Sequence, residues 1–182
     1  MPNWVEQTMV VTMGDPQEVW DMICSEGKLF DFDKLVPMPE EVKESEEMVG
    51  SFPVWYVWAV EHWGTKWNVG FAKFETDKDC KIAVTPYRLY FETAWSCPVP
   101  IFKLLAEKLP EHEITIRAYE CAMCWHATFM LKDGQLTGVQ EECHCFDEPC
   151  EDLKGDADAA AQDELDANEK YRSREAYPNV QP

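Results

Sequence analysis

The chain has 182 residues and a mass of 21.1 kDa, the length of one domain with a tail. Hydrophobic residues make up 46% and aromatics 13%, which supplies a core and excludes a wholly disordered chain. Its 35 acids against 16 bases give a formal charge of −19, which argues against direct binding to a nucleic-acid backbone; no apolar run approaches the roughly 20 residues that a membrane span needs.

In chain order, residues 4–13 alternate Thr8, Val10 and Thr12 against Met9, Val11 and Met13, a strand that Gly14 ends. Asp15, Pro16 and Glu18 then form a helix start, with Val19, Trp20 and Ile23 as its apolar face and Gly27 as its stop. Residues 28–53 read as an irregular loop, because Pro37 and Pro39 remove donors and restrict their predecessors. Residues 54–63 are β-prone by composition. Val54, Val57, Trp58 and Glu61 also fit one helical face, so strand and helix both stay open.

A hairpin is expected from about residue 68 to Trp95, turning at 76–79. The stretch 96–100 opens a second helix with Ile101, Leu104, Leu105 and Leu109 at helical spacing, closed by Pro110. Strands follow at 113–119 and 124–131, then a turn at Asp133-Gly134 and an edge strand to Glu142. This order predicts an α+β fold: a ferredoxin-like antiparallel sheet with two helices on one face. Residues 28–67 form an insertion after the first helix. Residues 1–145 make the domain and 146–182 an acidic, partly helical tail, with acids crowding the start of its helix and Lys170, Arg172 and Arg174 its end.

Acidity is spread over both parts. Residues 1–145 carry 24 acids and 12 bases, and residues 146–182 carry 11 and 4. Such a surface attracts basic macromolecular surfaces, and it also serves plain solubility. No signal peptide is expected before the eight cysteines, since Met1-Pro2-Asn3-Trp4 lacks a basic stretch followed by an apolar one. Reduced thiols and a cytoplasmic setting are therefore expected. Cys121, Cys124, His126, Cys143 and Cys145 have spacing worth testing for zinc. Against this, 121–130 reads as an apolar strand, which sends Cys121 and Cys124 to opposite faces. The expectation is no cofactor, with zinc as the alternative.

Four phrases occur together: Pro2-Asn3-Trp4, Val36-Pro37-Met38-Pro39 with Glu40, His62-Trp63-Gly64-Thr65-Lys66-Trp67, and Thr93-Ala94-Trp95-Ser96. In this combination the chain resembles the YubB-like ferredoxin-like domain family over about residues 2–140. Val5, Glu6 and the Cys121-Ala122-Met123-Cys124 phrase depart from the family's pattern. The resemblance implies a ferredoxin-like fold, a cytosolic setting and a phage or plasmid origin, and supplies no catalytic residues.

Two further chemistries are open. Lys66, set between Trp63 and Trp67, could hold an anion while the indoles stack on a base, or the two rings could simply pack the insertion onto the sheet. His62, His112, His126 and His144 are the acid–base candidates. His112 reads as a solvated turn residue, His126 as a satisfied core residue, and none pairs with a nucleophile by motif. A non-catalytic activity is therefore expected. Joined to the acidity, the phage or plasmid origin that the resemblance implies points to an anti-defence inhibitor, of anti-CRISPR or anti-restriction type, that blocks a basic site on a host or rival defence protein. Its expected contacts are Glu40, Glu41, Glu44, Glu46, Glu47, Asp147, Glu148, Glu151 and Asp152. The alternative is a zinc-stabilised or nucleotide-binding accessory domain.

Overall fold

The computed structural model describes residues 3–75, 87–120 and 122–142. In chain order the elements are β1 (Trp4–Met13), α1 (Pro16–Ile23), the short helices α2 (Phe32–Leu35) and α3 (Glu40–Lys43), a ribbon of β2 (Met48–Val49) and β3 (Phe52–Pro53), α4 (Val54–His62), β4 (Phe71–Glu75), β5 (Arg88–Ala94), α5 (Val99–Lys108), β6 (Glu113–Glu120), β7 (Trp125–Lys132) and β8 (Gln135–Glu142). Six strands form one sheet in the order β4-β5-β1-β6-β7-β8, every pairing antiparallel. The fold is thus mixed α+β.

Alternation sorts the sheet into two faces. Val5, Gln7, Met9 and Val11 of β1 are buried, as are Leu89, Phe91 and Thr93 of β5, Ile114, Ile116 and Ala118 of β6, and Ala127, Phe129 and Leu131 of β7. Register aligns them: Met9 pairs with Leu89 and with Ile116, and Ile116 with Phe129. Val19, Trp20 and Ile23 of α1 and Ile101, Phe102 and Leu105 of α5 join the same core cluster. Burying each such side chain fully is worth roughly 1.5–3 kcal/mol. The other face carries Trp4, Glu6 and Thr8 of β1, exposed or half-buried.

The insertion is more ordered than an irregular loop. Asp31 caps α2 by accepting from the Asp33 N–H, Pro39 precedes α3, and Gly50, at φ +61°, turns the chain between β2 and β3. α1 stops at Ile23, a turn before Gly27, whose φ of +76° serves the tight turn joining Ser25 to Lys28. Residues 54–62 are helical. The side turned to the core is Trp55, Trp58 and Ala59, continued by Trp63, rather than the Val54–Glu61 side. These positions follow the i, i+3, i+4, i+8 spacing of an inward helical stripe.

Asp31 is the hub that ties the insertion down. Its carboxylate accepts from Ser25 Oγ at 2.6 Å, Asn68 Nδ2 at 2.6 Å and Lys28 Nζ at 3.2 Å. Asn68 Oδ1 in turn accepts the Phe32 and Val69 backbone N–H groups. Burial pushes the Asp31 carboxyl upward, but the hydrogen bonds from Ser25, Asn68 and Lys28 outweigh it and hold the group below its ordinary value.

Residues 122–124 do not continue a strand. Ala122 to Cys124 make a turn, Cys124 has φ +51°, and β7 begins only at Trp125. The physical cause is Glu120, a buried carboxylate that accepts the N–H groups of Ala122 at 3.1 Å and Met123 at 2.6 Å. The expected turn at 76–79 and the tail at 146–182 lie outside the described residues.

Candidate functional site

The five glutamates expected to meet a partner lie in one short stretch of chain. Glu40, Glu41, Glu44, Glu46 and Glu47 are all exposed, on and just after α3. The only base among them, Lys43, is engaged with Asp33 at 3.1 Å and Glu40 at 3.5 Å. Directly after the acids the ribbon exposes Met48, Val49 and Phe52. Phe52 stacks on Tyr56 of α4, centroids 4.9 Å apart and planes 16° from parallel. The surface is therefore an acidic shelf with an apolar tip. Sequence reading missed the tip, although its signal was present: Gly50-Ser51 between two apolar pairs is a hairpin turn. Asp147, Glu148, Glu151 and Asp152 lie outside the described residues.

Trp63, Lys66 and Trp67 do not form one site. Trp63 is a core pillar, 6% exposed, donating its indole N–H to the Val36 carbonyl at 2.9 Å and meeting Phe32 and Trp58 edge-on or tilted. Its neighbour Gly64 has φ +81°, and a Cβ there would lie 2.5 Å from Pro100. Lys66 instead lies over Trp67, 4.4 Å from the ring centroid, and 5.8 Å from that of Tyr56. Trp67, 37% exposed, reaches Trp4 at 6.3 Å.

A buried polar junction holds these phrases together. Ser96 donates to the Gly64 carbonyl, Thr65 to the Ala94 carbonyl and Thr93 to the Ser96 carbonyl, each at 2.7 Å. Gln7 Nε2 donates to Thr93 Oγ1 at 2.7 Å. Two of the four sequence phrases thus meet as one hydrogen-bonded joint between the insertion and β5.

Sequence reading also missed the open sheet face. Trp4 reaches across to Gly70, where a Cβ would sit 2.5 Å from its ring, so glycine is what lets the indole lie there. Beyond it, Phe71 meets Tyr90 at 6.1 Å, and the Tyr90 hydroxyl donates to Glu92 at 2.8 Å. Burial, the Glu92 hydrogen bond and the nearby Glu6 charge all push the Tyr90 hydroxyl strongly upward, so it stays a donor.

His62 and His112 take structural places. His62 Nδ1 lies 2.9 Å from the Trp58 carbonyl and its ring stacks on that indole at 4.2 Å. His112 is buried rather than solvated, at 5% exposure. The turn closed by its N–H to the Leu109 carbonyl aims the ring at Gly14, where a Cβ would fall 2.3 Å from it. His112 Nε2 lies 3.2 Å from the Asp15 carbonyl and 3.3 Å from Glu18. His126 is half-buried on β7 opposite Tyr119.

Among the described residues no His, Cys, Asp and Glu group is arranged to hold a metal. Cys121, Cys143, Cys145 and His144 lie outside them, and Cys124 and His126 fall on either side of the start of β7. The Cys97 thiol is pushed up to about 12 by burial, which keeps it an inert thiol. Among the described residues no helix is long and apolar enough to cross a membrane. No family model matches the chain, and no curated protein or solved structure is significantly similar to it.

Proposed function

We propose that this chain is a non-catalytic docking protein of a phage or plasmid, with a ferredoxin-like, YubB-like body working in the bacterial cytoplasm. It blocks a basic nucleic-acid-binding surface of a host or rival defence protein, as an anti-CRISPR or anti-restriction inhibitor does. The strand order β4-β5-β1-β6, with α1 after β1 and α5 after β5, supports the ferredoxin-like body. The structural roles of His62 and His112 support a non-catalytic reading.

The observation that carries the proposal is the contiguity of five exposed carboxylates with the exposed Met48, Val49 and Phe52. Carboxylates alone serve solubility. An apolar tip inside an acidic field is the arrangement of an interface: apolar anchors supply affinity, and the charged rim supplies steering and partner choice. A basic groove with an apolar pocket is its complement.

Immobilised full-length protein exposed to host lysate tests this. Retention of a nucleic-acid-binding protein should fall between about 50 mM and about 500 mM salt, as screened charges require. Changing Glu40, Glu41, Glu44, Glu46 and Glu47 to Gln should abolish it. Retention indifferent both to salt and to those substitutions would overturn the reading.

A further inference from the structure

The open face of the sheet carries recognition chemistry of its own. Glu6 and Glu92 are paired directly across β1 and β5. Like charges directly opposite one another destabilise a sheet. Among the described residues neither makes an ion pair; Glu92 accepts from the Tyr90 hydroxyl at 2.8 Å. The two carboxylates stand together with the Tyr90 hydroxyl beside both.

Aromatic rings border the pair. Phe71 is paired with Glu92 from one side and Tyr119 with Glu6 from the other. Trp4 precedes Glu6 by two residues and so shares its face. Phe71 is 50% and Trp4 38% exposed. Trp4 is held in place by Gly70 beneath it and by Trp67 beside it. The bases of this face begin one register step along it: Lys73, next on the same face of β4 after Phe71, lies over Tyr90 at 5.0 Å, Arg117 is paired with Thr8, and Arg88 with Val10.

Two negative charges edged by aromatic faces select a particular ligand. A nucleobase would stack equally well, but its phosphates would meet Glu6 and Glu92. An ammonium is a compact, strongly hydrated charge with no planar face. A guanidinium is planar and weakly hydrated; it stacks on a ring while its N–H groups donate to carboxylates. We propose that the Glu6–Glu92 pair, with Trp4 and Phe71, receives an arginine side chain presented by a basic partner protein. This deepens the docking reading above, which supplies the class of partner, and adds a second contact on a different element.

N-acetyl-arginine amide, which carries one positive charge, is the probe. Titrated into the full chain, it should shift the indole N–H resonance of Trp4 saturably and leave that of the buried Trp63 in place. Glu6→Gln with Glu92→Gln should weaken binding by about fivefold or more, the loss of charge-assisted contacts. Glu107→Gln with Glu111→Gln, an equal charge change on exposed positions of and after α5, should change it by less than about twofold. N-acetyl-lysine amide should bind more weakly than the arginine probe. A Trp4 signal that stays still, or that moves equally in the Glu6/Glu92 and Glu107/Glu111 variants, overturns the proposal. So does tighter binding of oligothymidylate to the same rings. If the arginine site fails while lysate retention still depends on the five insertion glutamates, only this inference falls. If retention fails while the arginine site stands, only the docking reading falls.

Discussion

Trp63 and Trp67 stand four residues apart in one phrase and end on opposite sides of the insertion. Trp63 is enclosed by Phe32, Trp58 and the Val36 carbonyl, whereas Trp67 lies outside, between Lys66 and Trp4. The inner side is wired by directional bonds: Asp31 with Ser25 and Asn68, Ser96 with Gly64, Thr65 with Ala94. The outer side carries exposed rings, methionine and carboxylates with few such bonds. The difference teaches that the inner wiring is what lets the outer side stay apolar without collapsing inward. Stability belongs to the inner side, and the proposed recognition to the outer one.

The largest expected effect is on the inner side. Trp63→Ala should cost roughly 3–5 kcal/mol, the usual range for emptying a large aromatic site. Trp67→Ala should cost less than about 1 kcal/mol, as exposed positions do. Urea denaturation of the two variants measures both, and equal losses would break the comparison.

Asp31→Asn comes next, at about 1–3 kcal/mol, because it replaces one of two accepting oxygens by a donor that faces other donors. It also carries a pH signature. The folded carboxyl lies below its unfolded value of 3.8. Its contribution is therefore complete above that value and is lost as pH falls through the lower, folded one. Wild type should lose urea resistance more steeply than Asp31→Asn below about pH 4. Parallel curves would show that Asp31 does not anchor the insertion.

Gly70→Ala should cost about 1–3 kcal/mol, since its Cβ would press on the Trp4 ring and displace it. Near-ultraviolet circular dichroism should change with it. An unchanged tryptophan signal would show that Trp4 is not held against the sheet.

Smallest in stability is Phe52→Ala on the ribbon, expected within about 0.5–1 kcal/mol. Its effect should appear in partner retention. A variant that unfolds the chain instead would move the ribbon to the structural side.

Much of the frame was legible because it rests on periodicity. β1, α1, α5 and the strands from β6 to β8 follow alternation or helical spacing that the residues display openly. The insertion was less legible. Its short helices are fixed by Asp31, Asp33 and Asn68, whose partners lie up to 37 residues away, and no local pattern announces such bonds. α4 spreads large apolar residues around most of its circumference, so strand and helix remained equal until Trp55, Trp58 and Trp63 met the core. His112 was misjudged for a related reason: its burial depends on Gly14, far off in sequence. Of the candidate surface, the five glutamates were readable as charge. The Glu6–Glu92 pairing required the register of β1 against β5.

Hydrogen–deuterium exchange of the full chain, free and in complex with the protein captured from host lysate, tests the central claim most directly. Slowed exchange across residues 40–56, with the Trp63 region unchanged because it is already buried, is the predicted result. A complex that leaves residues 40–56 exchanging as in the free chain would contradict it.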